Sequence, residues 1–225
     1  MDLKDVVIVL DFDGTITLQD SNALLVEVLG DEENIIIESE FVQGLTGSRE
    51  TFVRHFKHMG ISMNEYYHFL KEHIDLDPDF DCFIERVRER EVPFFIVSAG
   101  FRQGIKYILG DERVNEEDIL ANDLIVVDET LVPKFAIENP PCTKKAGACG
   151  NCKRVSIQNI REKTKKKVIF IGDGITDTCT VDEVDLLFAK DYLEEYCKEN
   201  QLPYVPFRRF RDVIEYIFGG EGELC

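Results

Sequence analysis

Four stretches of the chain are apolar without alternation: Val6 to Leu10, Phe94 to Val97, Val168 to Ile171 and Leu186 to Ala189. A strand with one wet face alternates apolar and polar residues. Short unbroken runs therefore belong to strands covered on both sides, as in parallel sheets. Helical spacings lie between and after them. Phe80, Phe83, Ile84 and Val87 fall at i, i+3, i+4 and i+7, and Phe101, Ile105, Ile108 and Leu109 mark a second helix. Leu193, Tyr196 and Cys197 mark a third helix, and Phe210, Val213, Ile214 and Ile217 a fourth. Strands alternating with helices imply right-handed crossovers, so the expected fold is α/β: a doubly wound parallel sheet.

Two segments break the alternation. Residues 18–76 carry helical patterns throughout, around Leu24, Leu25 and Val28, then Phe52, Val53 and Phe56, then Tyr66, Phe69 and Leu70. An all-helical insertion straight after the first strand reads as a small cap, which leaves 1–17 and 77–225 as the core. From Asp123 to Ile137, apolar stretches flank Asp128-Glu129-Thr130 and predict a β-hairpin.

The 225 residues suffice for one substantial core with a smaller lobe beside it. The net charge of −18 argues against a nucleic-acid partner, since phosphate backbones are bound by excess Lys and Arg. The basic run Lys163 to Lys167, between a predicted helix and strand, reads as a solvated turn. No apolar run reaches the roughly 18 to 20 residues that cross a bilayer, and no secretory h-region stands at the start, so no membrane partner and a cytoplasmic location are the expectations. The seven cysteines then argue against a disulfide framework. Cys82, Cys179, Cys197 and Cys225 read as apolar fillers or surface thiols. Cys142, Cys149 and Cys152 cluster, and free thiols, zinc and a disulfide all stay open for them. The four histidines, His55, His58, His68 and His73, fall in the cap and read as solvated helix positions.

In open α/β sheets, ligands bind at the carboxyl ends of the strands. The first run is followed by Asp11-Phe12-Asp13-Gly14-Thr15, the second by Ser98-Ala99-Gly100, and the third by Gly172-Asp173-Gly174-Ile175-Thr176-Asp177. Each piece alone is compatible with an ordinary turn. Three successive buried strands delivering carboxylates, a hydroxyl and glycines to one edge is a functional pattern.

With Lys153, these residues match in order the four motifs of the haloacid dehalogenase-like phosphatase superfamily, which the chain resembles across its Rossmann-like core. The resemblance implies a nucleophile at Asp11, which attacks phosphorus and becomes a mixed anhydride. Asp11, Asp173 and a phosphate dianion repel one another by about 4 kcal/mol per pair at 4 Å and an effective dielectric near 20, so a cation is required. A hard ion held by few carboxylates suits Mg²⁺. The resemblance puts the ion on the Asp11 side chain, the Asp13 carbonyl and Asp173, with Asp177 in support. Lys153 adds a point charge, and Ser98 with the amides of Ala99 and Gly100 would bind phosphate oxygens. Asp13 becomes the general acid for the leaving oxygen and then the base for water. Relatives that break carbon–halogen bonds lack this second aspartate.

The expected substrate is a small phosphorylated metabolite. Cys149-Gly150-Asn151-Cys152-Lys153 and Phe188-Ala189-Lys190-Asp191-Tyr192-Leu193 resemble the 2-hydroxy-3-keto-5-methylthiopentenyl-1-phosphate phosphatases. Asp20 and Arg54 are similar to the acid and arginine with which phosphoserine phosphatases bind an amino acid. A non-catalytic binding protein and a phosphotransferase on the same fold stand as alternatives.

Overall fold

The computed structural model describes residues 2–136 and 147–219. Seven strands form one sheet: β1 (Val6–Leu10), β2 (Phe94–Phe101), β3 (Ile119–Val127), β4 (Thr130–Lys134), β5 (Lys167–Gly172), β6 (Leu186–Ala189) and β7 (Val205–Pro206), in the order β4-β3-β2-β1-β5-β6-β7. Nine helices accompany them among the described residues. They are α1 (Ser21–Leu29), α2 (Glu32–Val42), α3 (Ser48–Met59), α4 (Met63–His73), α5 (Phe80–Glu89), α6 (Arg102–Arg113), α7 (Lys153–Thr164), α8 (Asp191–Glu199) and α9 (Phe210–Phe218). The fold is α/β and mostly parallel, as the four apolar runs imply. The chain divides into two compact units, Met1–Leu18 with Leu76–Val97 and Lys153–Cys225, and Gln19–Asp75 with Ser98–Cys152.

In the first unit β1 runs parallel to β2 on one side and to β5 on the other, with Leu10 level with Ile96 and with Ile171. All five residues of β1 are buried, which is what an unbroken run of Val, Ile and Leu predicts for a central strand. β5 continues to β6 and β6 to β7, also in parallel. Helices α5 and α9 join through aromatic side chains: Phe210 lies 5.1 Å from Phe80 and 4.7 Å from Phe83 between ring centroids. The common register brings the carboxyl ends of β1 and β5 to the same edge. Within that edge the Asp11 amide donates to the Ile171 carbonyl at 2.9 Å.

The second unit combines helices α1 to α4 with α6 and the β3–β4 hairpin. Its core holds Leu25, Phe52, Phe56, Phe69, Phe101 and Leu124. Phe101 meets Phe52 and Phe56 edge-on at 5.0 and 5.1 Å, the arrangement aromatic quadrupoles favour. The hairpin turns at Asp128 and Glu129, both with positive φ, and pairs Val127 with Thr130. That is the turn whose twist suits a two-residue hairpin. β4 takes the sheet edge, where the Leu131 amide donates to the Ile61 carbonyl at 2.9 Å and Pro133 has no N–H to offer.

Several local expectations change. β2 continues four residues past Val97, so Ser98-Ala99-Gly100 lies inside a strand end instead of forming a turn after it. Helix α2 was not marked by a spacing, because Ile35, Ile36 and Ile37 are consecutive and only Ile37 is buried. His55 is not a solvated position. It is buried, its Nδ1 facing the Asn34 amide and its Nε2 facing Glu38, each at 3.0 Å. Cys82 is disulfide-bonded, which corrects its reading as a free thiol. Cys149, Cys152, Cys179 and Cys197 are not disulfide-bonded, while Cys142 and Cys225 lie outside the described residues. No helix among the described residues is long and apolar enough to cross a membrane.

Candidate active site

Asp11 follows β1 directly, and its first neighbours wrap around a single carbonyl. The amides of Thr15, Ile16 and Thr17 all donate to the Phe12 carbonyl, at 2.9 to 3.2 Å. Gly14 sits in this turn at φ +74, and a Cβ there would run into the Asp173 carboxylate. Glycine is thus required twice over, for its backbone angle and for the space it leaves. Thr15 donates its hydroxyl to Asp173 Oδ1 at 2.5 Å, tying the end of β1 to the end of β5. Asp13 is half-buried in the same turn.

Lys153, the first residue of α7, is buried and inserts its ammonium between two acids. Its Nζ lies 2.6 Å from Asp11 Oδ1 and 2.6 Å from Asp177 Oδ1. The opposite oxygen of Asp177 accepts the amides of Asp173 at 3.2 Å and Gly174 at 2.9 Å. Both Asp177 oxygens are therefore engaged by the protein, which makes this residue an organiser of the loop after β5. Asp11 Oδ1 also accepts the Phe12 amide at 2.7 Å.

Three carboxylates crowd this edge: Asp11, Asp173 and Asp177 each offer an oxygen within 4.8 Å of the others. Burial pushes the Asp11 carboxyl well above the ordinary range, and the like charges of Asp177 and Asp173 push it the same way against the pull of Lys153. Burial and the Asp177 charge push Asp173 up to about 7, with the Thr15 hydrogen bond and Lys153 opposing them. Burial works against the Lys153 charge, but Asp11 and Asp177 outweigh it and raise its pKa. The cluster is thus short of positive charge: among the described residues, the buried ammonium of Lys153, with Lys190 acting on Asp173, faces three acids.

A divalent cation fits the donors present. After Lys153, Thr15 and the backbone amides are counted, Asp11 Oδ2 and Asp173 Oδ2 remain without a hydrogen-bond partner among the described residues. Two hard carboxylate oxygens at a crowded anionic edge suit an ion such as Mg²⁺, which binds through few protein ligands.

The other residues singled out in the sequence lie in the second unit. Ser98 is buried in β2, and its Oγ accepts the Gly100 amide at 2.8 Å, while the Ala99 carbonyl accepts from Asn122 at 2.7 Å. Asp20 caps α1, its Oδ1 accepting the amides of Asn22 at 2.9 Å and Ala23 at 3.0 Å. Arg54 on α3 is ion-paired with Glu40, with Glu33 at 3.8 Å. Two contributors to the β1–β5 edge had no role assigned from the sequence. Thr15 was named only as part of its motif. Lys190, buried at the start of α8, lies over the Phe207 ring at 5.3 Å and acts electrostatically on Asp173.

The family model for haloacid dehalogenase-like hydrolases matches residues 8–181. The polyol phosphate phosphatase PYP1 of Saccharomyces cerevisiae is 30% identical over 218 residues, covering 92% of this chain and 90% of that protein. The 2-hydroxy-3-keto-5-methylthiopentenyl-1-phosphate phosphatase of Bacillus mycoides is 29% identical over 206 residues, covering 91% and 92%. Among solved structures, a phosphoserine phosphohydrolase-like protein from Francisella tularensis superposes with a TM-score of 0.70 at 18% identity, covering 94% of this chain and 99% of that one. A substrate-bound phosphoserine phosphatase gives 0.68 at 17%, covering 95% and 98%. These two show the shared fold. The family match spans most of the chain and takes in Asp11, Lys153, Asp173 and Asp177, so the chain belongs to the haloacid dehalogenase-like hydrolases.

Proposed function

We propose that the protein is a Mg²⁺-dependent phosphatase of a small phosphorylated metabolite that works through an aspartyl-phosphate on Asp11. The observation that carries this reading is the Lys153 ammonium held 2.6 Å from both Asp11 and Asp177, with the Asp173 carboxylate alongside. A strand-end carboxylate oriented by a buried cation is a prepared nucleophile, not a surface acid.

Asp11 attacks phosphorus, the ester P–O bond breaks, and the departing oxygen takes a proton from Asp13. The phosphoryl group is then joined to Asp11. Asp13, now a base, removes a proton from water as the water oxygen attacks phosphorus. Inorganic phosphate leaves and Asp11 regains its carboxylate. Lys153 keeps Asp11 oriented and offsets negative charge throughout. Asp177 holds Lys153 and the loop after β5 in place. Ser98 and the Ala99 amide would donate to the phosphoryl oxygens, in line with the resemblance, and the Gly100 amide could do so only by leaving Ser98 Oγ. A divalent ion on Asp11, Asp173 and the Asp13 carbonyl would supply the positive charge that lets a phosphate dianion approach these acids.

Two observations bear on the organic part of the substrate. Asp20 is occupied as a helix cap and Arg54 as the partner of Glu40. A role for this pair in holding an ammonium and a carboxylate would require both to leave those partners, so we favour an uncharged, hydroxylated or thioether-bearing organic part over phosphoserine. The full-length relatives act on a polyol phosphate and on 2-hydroxy-3-keto-5-methylthiopentenyl-1-phosphate, which fits that preference. The test is hydrolysis of nitrophenyl phosphate with Mg²⁺ and with chelator, followed by a panel containing polyol phosphates, the methylthiopentenyl phosphate and phosphoserine. Hydrolysis that ignores chelation, or survives Asp11→Asn, would remove the reading. A preference for phosphoserine would reverse the substrate choice.

A further inference from the structure

The segment Cys149-Gly150-Asn151-Cys152-Lys153 has so far contributed only its lysine. Asn151 is buried, 2% exposed, and its side-chain amide nitrogen donates to two carbonyls: Ser98 at 3.1 Å and Leu120 at 2.7 Å. Its two N–H donors thus meet one acceptor on β2 and one on β3. The residue before it is anchored separately, the Gly150 amide donating to the Ser48 hydroxyl at 2.9 Å. From β3, Asn122 donates to the next carbonyl along, Ala99, at 2.7 Å. The backbone of Ser98 and Ala99 is therefore gripped by two buried side-chain amides. One of those amides stands two residues before Lys153.

We propose that Asn151 is a positioning residue for the phosphatase reaction, fixing the Ser98–Gly100 strand end to the segment that delivers Lys153 into α7. The proposal rests on the phosphatase reading and goes beyond it by assigning a task to a residue that touches no substrate. Its chemistry is specific. An uncharged nitrogen with two hydrogens is needed to satisfy two carbonyls at once. Aspartate would set an acceptor against two acceptors, and leucine would remove both of these hydrogen bonds. A strand end set free by even about 1 Å would misplace the Ser98 hydroxyl that is to meet a phosphoryl oxygen, and misplacement on that scale lowers turnover by roughly 100-fold.

The test is a double-mutant cycle on the full chain with nitrophenyl phosphate and Mg²⁺, comparing Asn151→Leu in the wild-type and Ser98→Ala backgrounds. Acting through Ser98, the leucine variant should lower kcat by roughly 30- to 100-fold in the wild type. In the Ser98→Ala background, where the hydroxyl to be positioned is gone, its further loss should be under about threefold. The same fold-loss in both backgrounds would mean a general structural role and would overturn the proposal, as would an unchanged kcat. Should Asn151→Leu lack a cooperative melting transition, Asn151→Ser carries the same cycle, since it keeps a small polar side chain and loses the reach to both carbonyls. A wild-type protein with no Mg²⁺-dependent hydrolysis would instead sink the phosphatase reading, and the proposal with it.

Discussion

Replacing Lys153 with methionine keeps the bulk of the side chain and removes the ammonium that stands between Asp11 and Asp177. Each of its two contacts, at 2.6 Å, has a gross attraction of about 6 kcal/mol at an effective dielectric near 20. Most of that is offset in the wild type by stripping water from the lysine, and breaking a buried ion pair from one side costs about 3 to 5 kcal/mol. For a chain of this size the expected drop is about 6 to 20 °C in Tm, measured at pH 8 with chelator present. The Lys153 pKa is raised, so its stabilising charge is fully present below its unfolded value of 10.5 and does not vary between pH 5 and 8. The acids do vary. The Asp11 carboxyl is pushed up by burial and by Asp177, so the folded state binds a proton more tightly than the unfolded chain, and stability is recovered as pH falls. Losing the ammonium strengthens that push. The variant therefore regains more stability than the wild type as pH falls. The Tm gap between Lys153→Met and wild type should narrow as pH falls from 8 toward 5.5. A variant as stable as wild type at pH 8, or a gap that does not change with pH, would refute the idea that this lysine holds self-repelling acids together.

Other outcomes follow from the same edge. With Asp173 pushed up to about 7, its proton competes with a cation, so the Tm increase caused by Mg²⁺ should grow from pH 5.5 to pH 8; equal increases at both pH values would argue against Asp173 as a ligand. Gly14→Ala places a side chain at φ +74 and against Asp173, at a backbone cost of about 1 to 2 kcal/mol. The Mg²⁺ concentration for half-maximal activity should then rise by about tenfold, and an unchanged titration would clear Gly14 of that role. Asp13→Ala should lower turnover of an alkyl phosphate by roughly 100-fold or more and of nitrophenyl phosphate by much less, since nitrophenolate leaves without a proton; equal losses would contradict the general acid. Arg54→Ala should leave KM within about twofold for the preferred substrate, because its partner is Glu40; a large rise would restore Arg54 as a substrate contact.

What could be read in advance follows from how burial writes itself into sequence. β1, β5 and β6 announce themselves because strands covered on both faces need apolar residues at every position, and the residues just past them must then share an edge. The second unit is harder. Its core joins Phe52 and Phe56 to Phe101, Leu124 and Leu131, partners up to 79 positions apart, and no local period reports such pairing. Helix α2 escaped notice because three consecutive isoleucines carry no 3.6-residue rhythm. His55 looked like a surface residue because Asn34 and Glu38, which satisfy its ring, lie on another helix. Asp177 was expected to support a metal, and its dual hold on Lys153 and the Gly174 amide depends on loop geometry that a motif does not encode. Asn151 is legible only once Ser98 and Leu120 are known to stand side by side.

The treatment of the sheet margins has a consequence for behaviour in a crowded solution. At one margin Leu131 has given its amide to Ile61 and Pro133 has none, and at the other Pro206 occupies a strand of two residues. Among the described residues, a neighbouring copy seeking to extend the sheet would find no long ladder of donors on either side. Lengthwise growth into fibres is thereby discouraged by the backbone itself, independently of how much charge the surface carries.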